Sequence, residues 1–204
     1  MSDGEPTPAL VLASASAARA ALLRAAGVAH AVDPARIDED ELKRALHGQG
    51  ASAAEAAETL AELKALKVSR RHPGAISIGA DQMLECGREW FDKPADLDHA
   101  RAHLMALRGK THELVSAVVA ARDGARLWHH VERARLHMRD FSDGFLDSYL
   151  ATVGQEALET VGAYRLEGLG AQLFTRVEGD YFTVLGLPLL PLLDFLRNHG
   201  AVLP

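Results

Sequence analysis

The feature that most constrains this chain is a pair of long strand-like runs joined by a tight turn. Leu114 to Ala121 is rich in β-branched residues, Arg122-Asp123-Gly124-Ala125 has turn chemistry, and Leu127 to Met138 reads as the returning strand. A hairpin imposes antiparallel pairing. Elsewhere the short apolar runs Leu10-Val11-Leu12 and Ile76-Ser77-Ile78 alternate with helical segments. The combination predicts an α/β domain whose mixed, twisted sheet is flanked by helices, in preference to a purely parallel one.

Ser16 can cap a helix carrying Leu22, Leu23 and Ala26, and Gly27 suits its end. Residues 33–50 are polar and hold the acidic run Asp38-Glu39-Asp40-Glu41, which reads as a solvated acidic loop or as a carboxylate pair able to hold a cation. Ala53 to about Ser69 is a long Ala- and Leu-rich helix. Asp96 can cap a helix with Ala100, Leu104 and Leu107 on one face, and Ser142 one with Phe145, Leu146, Tyr149 and Leu150. A strand near Ala171–Val177 follows, then a turn at Glu178-Gly179-Asp180, another strand, and a last helix from about Leu189 to Asn198.

The chain has 204 residues, 48% of them hydrophobic, enough for one domain, or two small lobes, with a real core. Its formal net charge of −6, without a basic block, argues against stable nucleic-acid binding. Cys86 is its single cysteine, so an internal disulfide is excluded. The start has neither the positive nor the apolar region of a signal peptide, and no run approaches the ~20 apolar residues of a membrane span. The expectation is a soluble cytoplasmic protein, with residues 1–8 a flexible tail and residues 9–204 the folded domain.

Three segments could carry chemistry. In Leu12-Ala13-Ser14-Ala15-Ser16-Ala17-Ala18-Arg19 a strand runs through small residues into a helix start. Open N–H groups there bind anions; Ser14 and Ser16 add hydroxyls and Arg19 a fixed positive charge. Alone, the segment also reads as an ordinary capped helix with a surface arginine. Gly79-Ala80-Asp81 ends an apolar strand, where a carboxylate can serve as general base or metal ligand, or simply begin a turn. Lys93-Pro94 follows it. Lys64 sits on an apolar helical stripe, so it either snorkels or faces a polar cleft. The third segment is Gly162-Ala163-Tyr164-Arg165-Leu166-Glu167-Gly168, followed by Gly179-Asp180-Tyr181 and Val184-Leu185-Gly186-Leu187-Pro188. The histidines, His129-His130 included, lack a metal-ligand spacing, and Cys86 lacks a charged motif.

In this order and at these distances the segments resemble the Maf family of nucleoside triphosphate pyrophosphatases, over about residues 10–198. Ser14-Ala15-Ser16-Ala17-Ala18-Arg19 is similar to the family's Ser-x-Ser-Pro-x-Arg, with Ala17 at the proline and Ala18 where an arginine or an aromatic is usual. Gly79-Ala80-Asp81 matches the family's Gly-Ala-Asp. The resemblance implies a single Maf/ITPase-like domain with two lobes around a nucleotide cleft, and hydrolysis of a nucleoside triphosphate to monophosphate and pyrophosphate. It makes Asp81 the proton acceptor and assigns Ser14, Ser16, Arg19, Lys64 and Lys93 to substrate. It places a divalent cation, Mg²⁺ or Mn²⁺, on Glu39 and Asp81. His112 would bond substrate or serve structure.

Gln82 and Glu167 replace the family's usual threonine and glutamine. They occur together in the subgroup that prefers 7-methyl-GTP, although that subgroup has an aromatic at the position of Ala18. The physical reason is that one carboxylate can accept both adjacent donors of guanine, whereas thymine and uracil offer one donor between two acceptors. A dTTP- or UTP-preferring enzyme and a non-catalytic nucleotide-binding regulator of septum formation are the alternatives. The biological use implied is removal of modified nucleotides before they enter nucleic acid, with a role in cell-division arrest also linked to the family. A homodimer is compatible with it.

Overall fold

The structure, a computed structural model, describes residues 8–203. The tail expected over residues 1–8 therefore lies, apart from Pro8, outside the described residues. The strands are β1 (Leu10–Leu12), β2 (Ala31–Val32), β3 (Ile76–Cys86), β4 (Glu89–Phe91), β5 (Thr111–Arg122), β6 (Ala125–Met138) and β7 (Phe174–Glu178). The helices are α1 (Ala17–Ala25), α2 (Glu39–Gly48), α3 (Ala53–Ser69), α4 (Leu97–Leu107), α5 (Asp143–Val153), α6 (Tyr181–Val184) and α7 (Leu189–Asn198). The strands form one sheet in the order β2-β1-β3-β5-β6-β7, with β4 beside β3. β1 runs parallel to β2 and β3, whereas β3–β4 and β6–β7 are antiparallel, so the sheet is mixed as expected. Among the described residues no helix is long and apolar enough to cross a membrane.

The chain divides into two compact units. Of the described residues, one takes in 8–81, Ser116–Glu132 and 186–203. Here Ser16 caps α1 by accepting from the Arg19 N–H, and Gly27, with φ +73°, ends the turn that follows. α3 opens on a capping box: Ser52 accepts from the Glu55 N–H, and the Glu55 carboxylate accepts from the Ser52 N–H. Its Ala- and Leu-rich face is buried, from Ala53 through Leu60 to Val68. The hairpin turn has Asp123 at φ +52° and Gly124 at φ +80°, the left-handed pair that a two-residue loop between twisted strands requires.

The other unit comprises Gln82–Val115 and Arg133–Leu185. Its core gathers Leu84, Leu104, Leu107, Leu136, Leu146, Tyr149 and Tyr164. Asp96 and Ser142 cap α4 and α5 as their spacing predicts.

Three expectations need correction. Asp81 does not follow a short strand; it lies in the middle of β3, which continues through Leu84 to pair with β4. Gly79, two residues before Asp81, serves packing: a Cβ there would stand 2.1 Å from the Ala61 carbonyl oxygen. The polar stretch 33–50 is not all loop, because Asp38 accepts from the Glu41 N–H and caps α2. Acidic residues in a first turn favour a helix start through the macrodipole. Finally, the segment after Glu178-Gly179-Asp180 is the short helix α6, capped by Asp180, and not a strand.

Candidate functional site

The first unit brings together six of the residues singled out by sequence: Ser14, Ser16, Arg19, Glu39, Lys64 and Asp81. Ser14, at the end of β1, accepts from the Ser16 N–H at 3.2 Å and from Arg19 Nη1 at 3.1 Å. Arg19 also donates through Nη1 to the Ala80 carbonyl at 2.9 Å and through Nε to the Gly186 carbonyl at 2.8 Å. The arginine thus ties the start of α1 to the residue before Asp81 and to the turn before α7. Sequence gave no sign of the Gly186 carbonyl as its partner. Burial lowers the guanidinium from its ordinary value, while Asp81 and Glu39 oppose that shift; an arginine stays charged regardless.

Close helix packing builds the centre. Because Gly79 lacks a Cβ, α3 lies against β3, and Lys64, on the buried face of α3, reaches Asp81 two residues further along the strand. Lys64 Nζ donates to Asp81 Oδ1 at 2.6 Å and lies 2.9 Å from Glu39 Oε1. Lys64 is 5% exposed and Asp81 4%, so this is a buried ion pair, with the half-buried Glu39 as third member. Burial pushes the Glu39 carboxyl up, but Lys64, by charge and hydrogen bond, with Lys43 and Arg19 behind it, outweighs that and holds it below its ordinary value.

Asp81 Oδ2 is buried with no hydrogen-bond partner. A buried carboxylate oxygen left unsatisfied is costly and calls for an explanation such as a ligand, a water or an ion. Two carboxylate groups of this kind suit Mg²⁺ or Mn²⁺, hard cations that take oxygen ligands and keep other positions for water or phosphate. Among the described residues no three His, Cys, Asp or Glu side chains converge as a complete metal cage. Glu39 and Asp81 therefore fit a cation shared with an oxygen-rich ligand better than a closed structural site. Two carboxylates against Lys64 and Arg19 leave no surplus positive charge, so a polyphosphate would bring or require one.

The remaining candidates belong to the second unit. Gln82, next to Asp81 on β3, donates through Nε2 to the carbonyls of Thr183 and Val184, both at 3.1 Å. Glu167 is exposed in a turn between two short 3₁₀ segments, and Lys93 is exposed in the loop after β4, ahead of the buried Pro94. His112 is fully buried; its Nε2 shares a hydrogen bond with the Tyr164 hydroxyl at 2.7 Å while Nδ1 has no partner. Burial, with a smaller contribution from His137, lowers its pKa to about 4, so the ring is neutral at physiological pH. Sequence left His112 open between substrate and structure; its contacts are those of a core histidine.

Fold and site define a class of protein: a mixed-sheet α/β chain that holds an ion-paired carboxylate in mid-strand, close to the capped N-terminus of a helix. A family model described as Maf-like protein matches residues 9–199. The chain belongs to the Maf-like protein family. A nucleoside triphosphate pyrophosphatase of Paramagnetospirillum magneticum (strain ATCC 700264 / AMB-1) is 59% identical over 194 residues, covering 95% of this chain and 100% of the relative. A nucleoside triphosphate pyrophosphatase of Granulibacter bethesdensis (strain ATCC BAA-1260 / CGDNIH1) is 56% identical over 193 residues, covering 95% and 98%. A 7-methyl-GTP pyrophosphatase of Brucella abortus biovar 1 (strain 9-941) is 50% identical over 196 residues, covering 96% and 98%.

Proposed function

We propose that this protein is a nucleoside triphosphate pyrophosphatase that prefers a 7-methyl-GTP-like purine and uses Asp81 as its general base. The observation that carries the reading is the Lys64–Asp81 pair, buried and with Asp81 Oδ2 unpartnered, in a chain matched along nearly its whole length by relatives named nucleoside triphosphate pyrophosphatase. Lys64 takes Oδ1, which leaves Oδ2 as the oxygen to meet the nucleophile. The water oxygen attacks the α phosphorus, its proton passes to Asp81, and the bond from the α phosphorus to the bridging oxygen breaks. Nucleoside monophosphate and pyrophosphate result.

Glu39 and Asp81 would hold Mg²⁺ or Mn²⁺, which when bound neutralises phosphate charge and aligns attacking and leaving oxygens. Lys64, Lys93 and Arg19 supply the positive field, and the N–H groups at the start of α1 with Ser14 and Ser16 receive phosphate oxygens. Arg19 acts chiefly by fixing that loop, given its bonds to Ala80 and Gly186. Gln82 and Glu167 read the base. The relatives named 7-methyl-GTP pyrophosphatase support the purine preference. Clearing modified nucleotides before incorporation is the use we assign; a part in cell-division arrest would follow from that activity.

The test is pyrophosphate release from 7-methyl-GTP, GTP, dTTP, UTP and CTP with Mg²⁺ or Mn²⁺. Turnover led by 7-methyl-GTP is expected. Turnover led by dTTP or UTP overturns the purine reading, and nucleotide binding without turnover moves the assignment to a non-catalytic regulator.

A further inference from the structure

We infer that Asp180 is a positioning residue for base selection, acting through Gln82; the inference rests on the reading of Gln82 as a base contact. The two groups that receive Gln82 Nε2, at 3.1 Å each, are backbone carbonyls, which can only accept. They fix which end of the amide is nitrogen, and so hold the side chain in one orientation. The orientation of Gln82 is therefore only as secure as α6 itself.

α6 has four residues, Tyr181–Val184, and one turn of helix does not sustain itself. Two features hold it. Asp180 Oδ1 accepts from the Thr183 N–H at 3.0 Å and from the Thr183 hydroxyl at 3.3 Å, so one carboxylate oxygen caps the turn and pins the buried threonine that offers a carbonyl to Gln82. Gly179, with φ +116°, lies against β6 so closely that a Cβ would come within 2.9 Å of Ala134 Cα and 3.0 Å of the Arg133 carbonyl oxygen. The loop is thus seated on the sheet immediately before the cap. The chain of dependence runs from Gly179 and Asp180 to the Thr183 and Val184 carbonyls, and from these to the Gln82 amide. None of these hydrogen bonds uses a residue assigned to the phosphates, so the loss is expected to fall chiefly on base choice.

The experiment measures kcat and KM on 7-methyl-GTP and dTTP for wild type, Asp180→Ala, Asp180→Asn, Gln82→Ala and the Gln82→Ala/Asp180→Ala double variant. The Gln82 side-chain amide signals are followed by NMR in the same proteins that keep Gln82. Asp180→Ala is expected to lower the kcat/KM ratio of the two substrates severalfold. Asp180→Asn, which still caps, restores it, and Asp180→Ala adds nothing once Gln82 is gone. The Gln82 amide protons are expected to be slow to exchange in wild type and fast in Asp180→Ala.

Equal losses on both substrates, a further fall of the ratio in the double variant, or unchanged Gln82 amide protons would overturn the inference. If wild type shows no base preference, the function reading fails by itself, and the inference falls with it as a statement about base choice. The amide protons then still decide whether Asp180 orients Gln82. Should Asp180→Ala not fold, Asp180→Gly replaces it: glycine tolerates the cap backbone but offers no oxygen to the Thr183 N–H and hydroxyl.

Discussion

A Cβ added to Gly79 would stand 2.1 Å from the carbonyl oxygen of Ala61, and 2.6 Å from the Ala65 nitrogen. No side chain fits there, and the contact is what lets α3 deliver Lys64 to Asp81. Gly79→Ala is expected to destabilise the protein by about 1–3 kcal/mol, the ordinary cost of overpacking, or more because the clash is with backbone. It should also lengthen the Lys64–Asp81 pair and lower turnover. Urea midpoints and pyrophosphate release, measured together, check both.

Lys64→Met removes one partner of a buried ion pair and leaves the Asp81 carboxylate stranded. Breaking such a pair typically costs about 3–5 kcal/mol. Adding Asp81→Asn removes the stranded charge, so the double variant should recover much of that stability while remaining inactive. A double variant no more stable than Lys64→Met would mean that the lysine stabilises through packing of its stem and not through the pair.

Glu39 should hold a cation together with Asp81. Glu39→Gln is expected to weaken Mn²⁺ binding by at least about 10–100-fold, the loss that follows removal of an outer partner of a metal ligand, as read by calorimetry on protein without nucleotide. Chelation should stop turnover of the wild type. The sign of the pH dependence follows from the lowered Glu39 carboxyl. Its favourable contribution is complete above the unfolded-state value and is lost only as pH falls through the lower folded value. Glu39 should therefore stay ionised, and available to a cation, below the usual carboxylate range.

His112 sets a second pH dependence. Its pKa falls from 6.5 to about 4 on folding. Below pH 6.5 the unfolded chain takes up a proton that the folded one refuses, so stability is full above that value and declines toward pH 4. The shift corresponds to a loss on the order of 3 kcal/mol across that window. His112→Gln should flatten the slope of stability between pH 7 and pH 4.5 relative to wild type. An unchanged slope would assign the acid sensitivity to other groups.

Much of this was legible in the sequence because the signals were local. Ser16, Asp96 and Ser142 each cap the helix their spacing announces. Asp123-Gly124 makes the hairpin turn. The pairing of Lys64 with Asp81 was foreshadowed by a lysine on an apolar stripe and a carboxylate on an apolar strand. What escaped was non-local. The packing of Gly79 against Ala61 and Ala65 of α3 has no sign in the local sequence. The acidic run at Glu39 looks like solvated loop until Asp38 is recognised as a cap. The segment after Asp180 is too short for any periodicity, so its helix, and its hold on Gln82, came only with the structure. Arg19 likewise looked like a phosphate ligand, and its carbonyl partners at Ala80 and Gly186 lie far away in sequence.

The most direct test of the central claim is pyrophosphate release from 7-methyl-GTP with Mg²⁺ or Mn²⁺, wild type beside Asp81→Asn. The isosteric change keeps the side chain's size and removes its charge. Robust turnover by wild type, and loss of about 10²–10⁴-fold in a folded Asp81→Asn protein, is the predicted result. Wild-type rates retained by Asp81→Asn would contradict it and require another base.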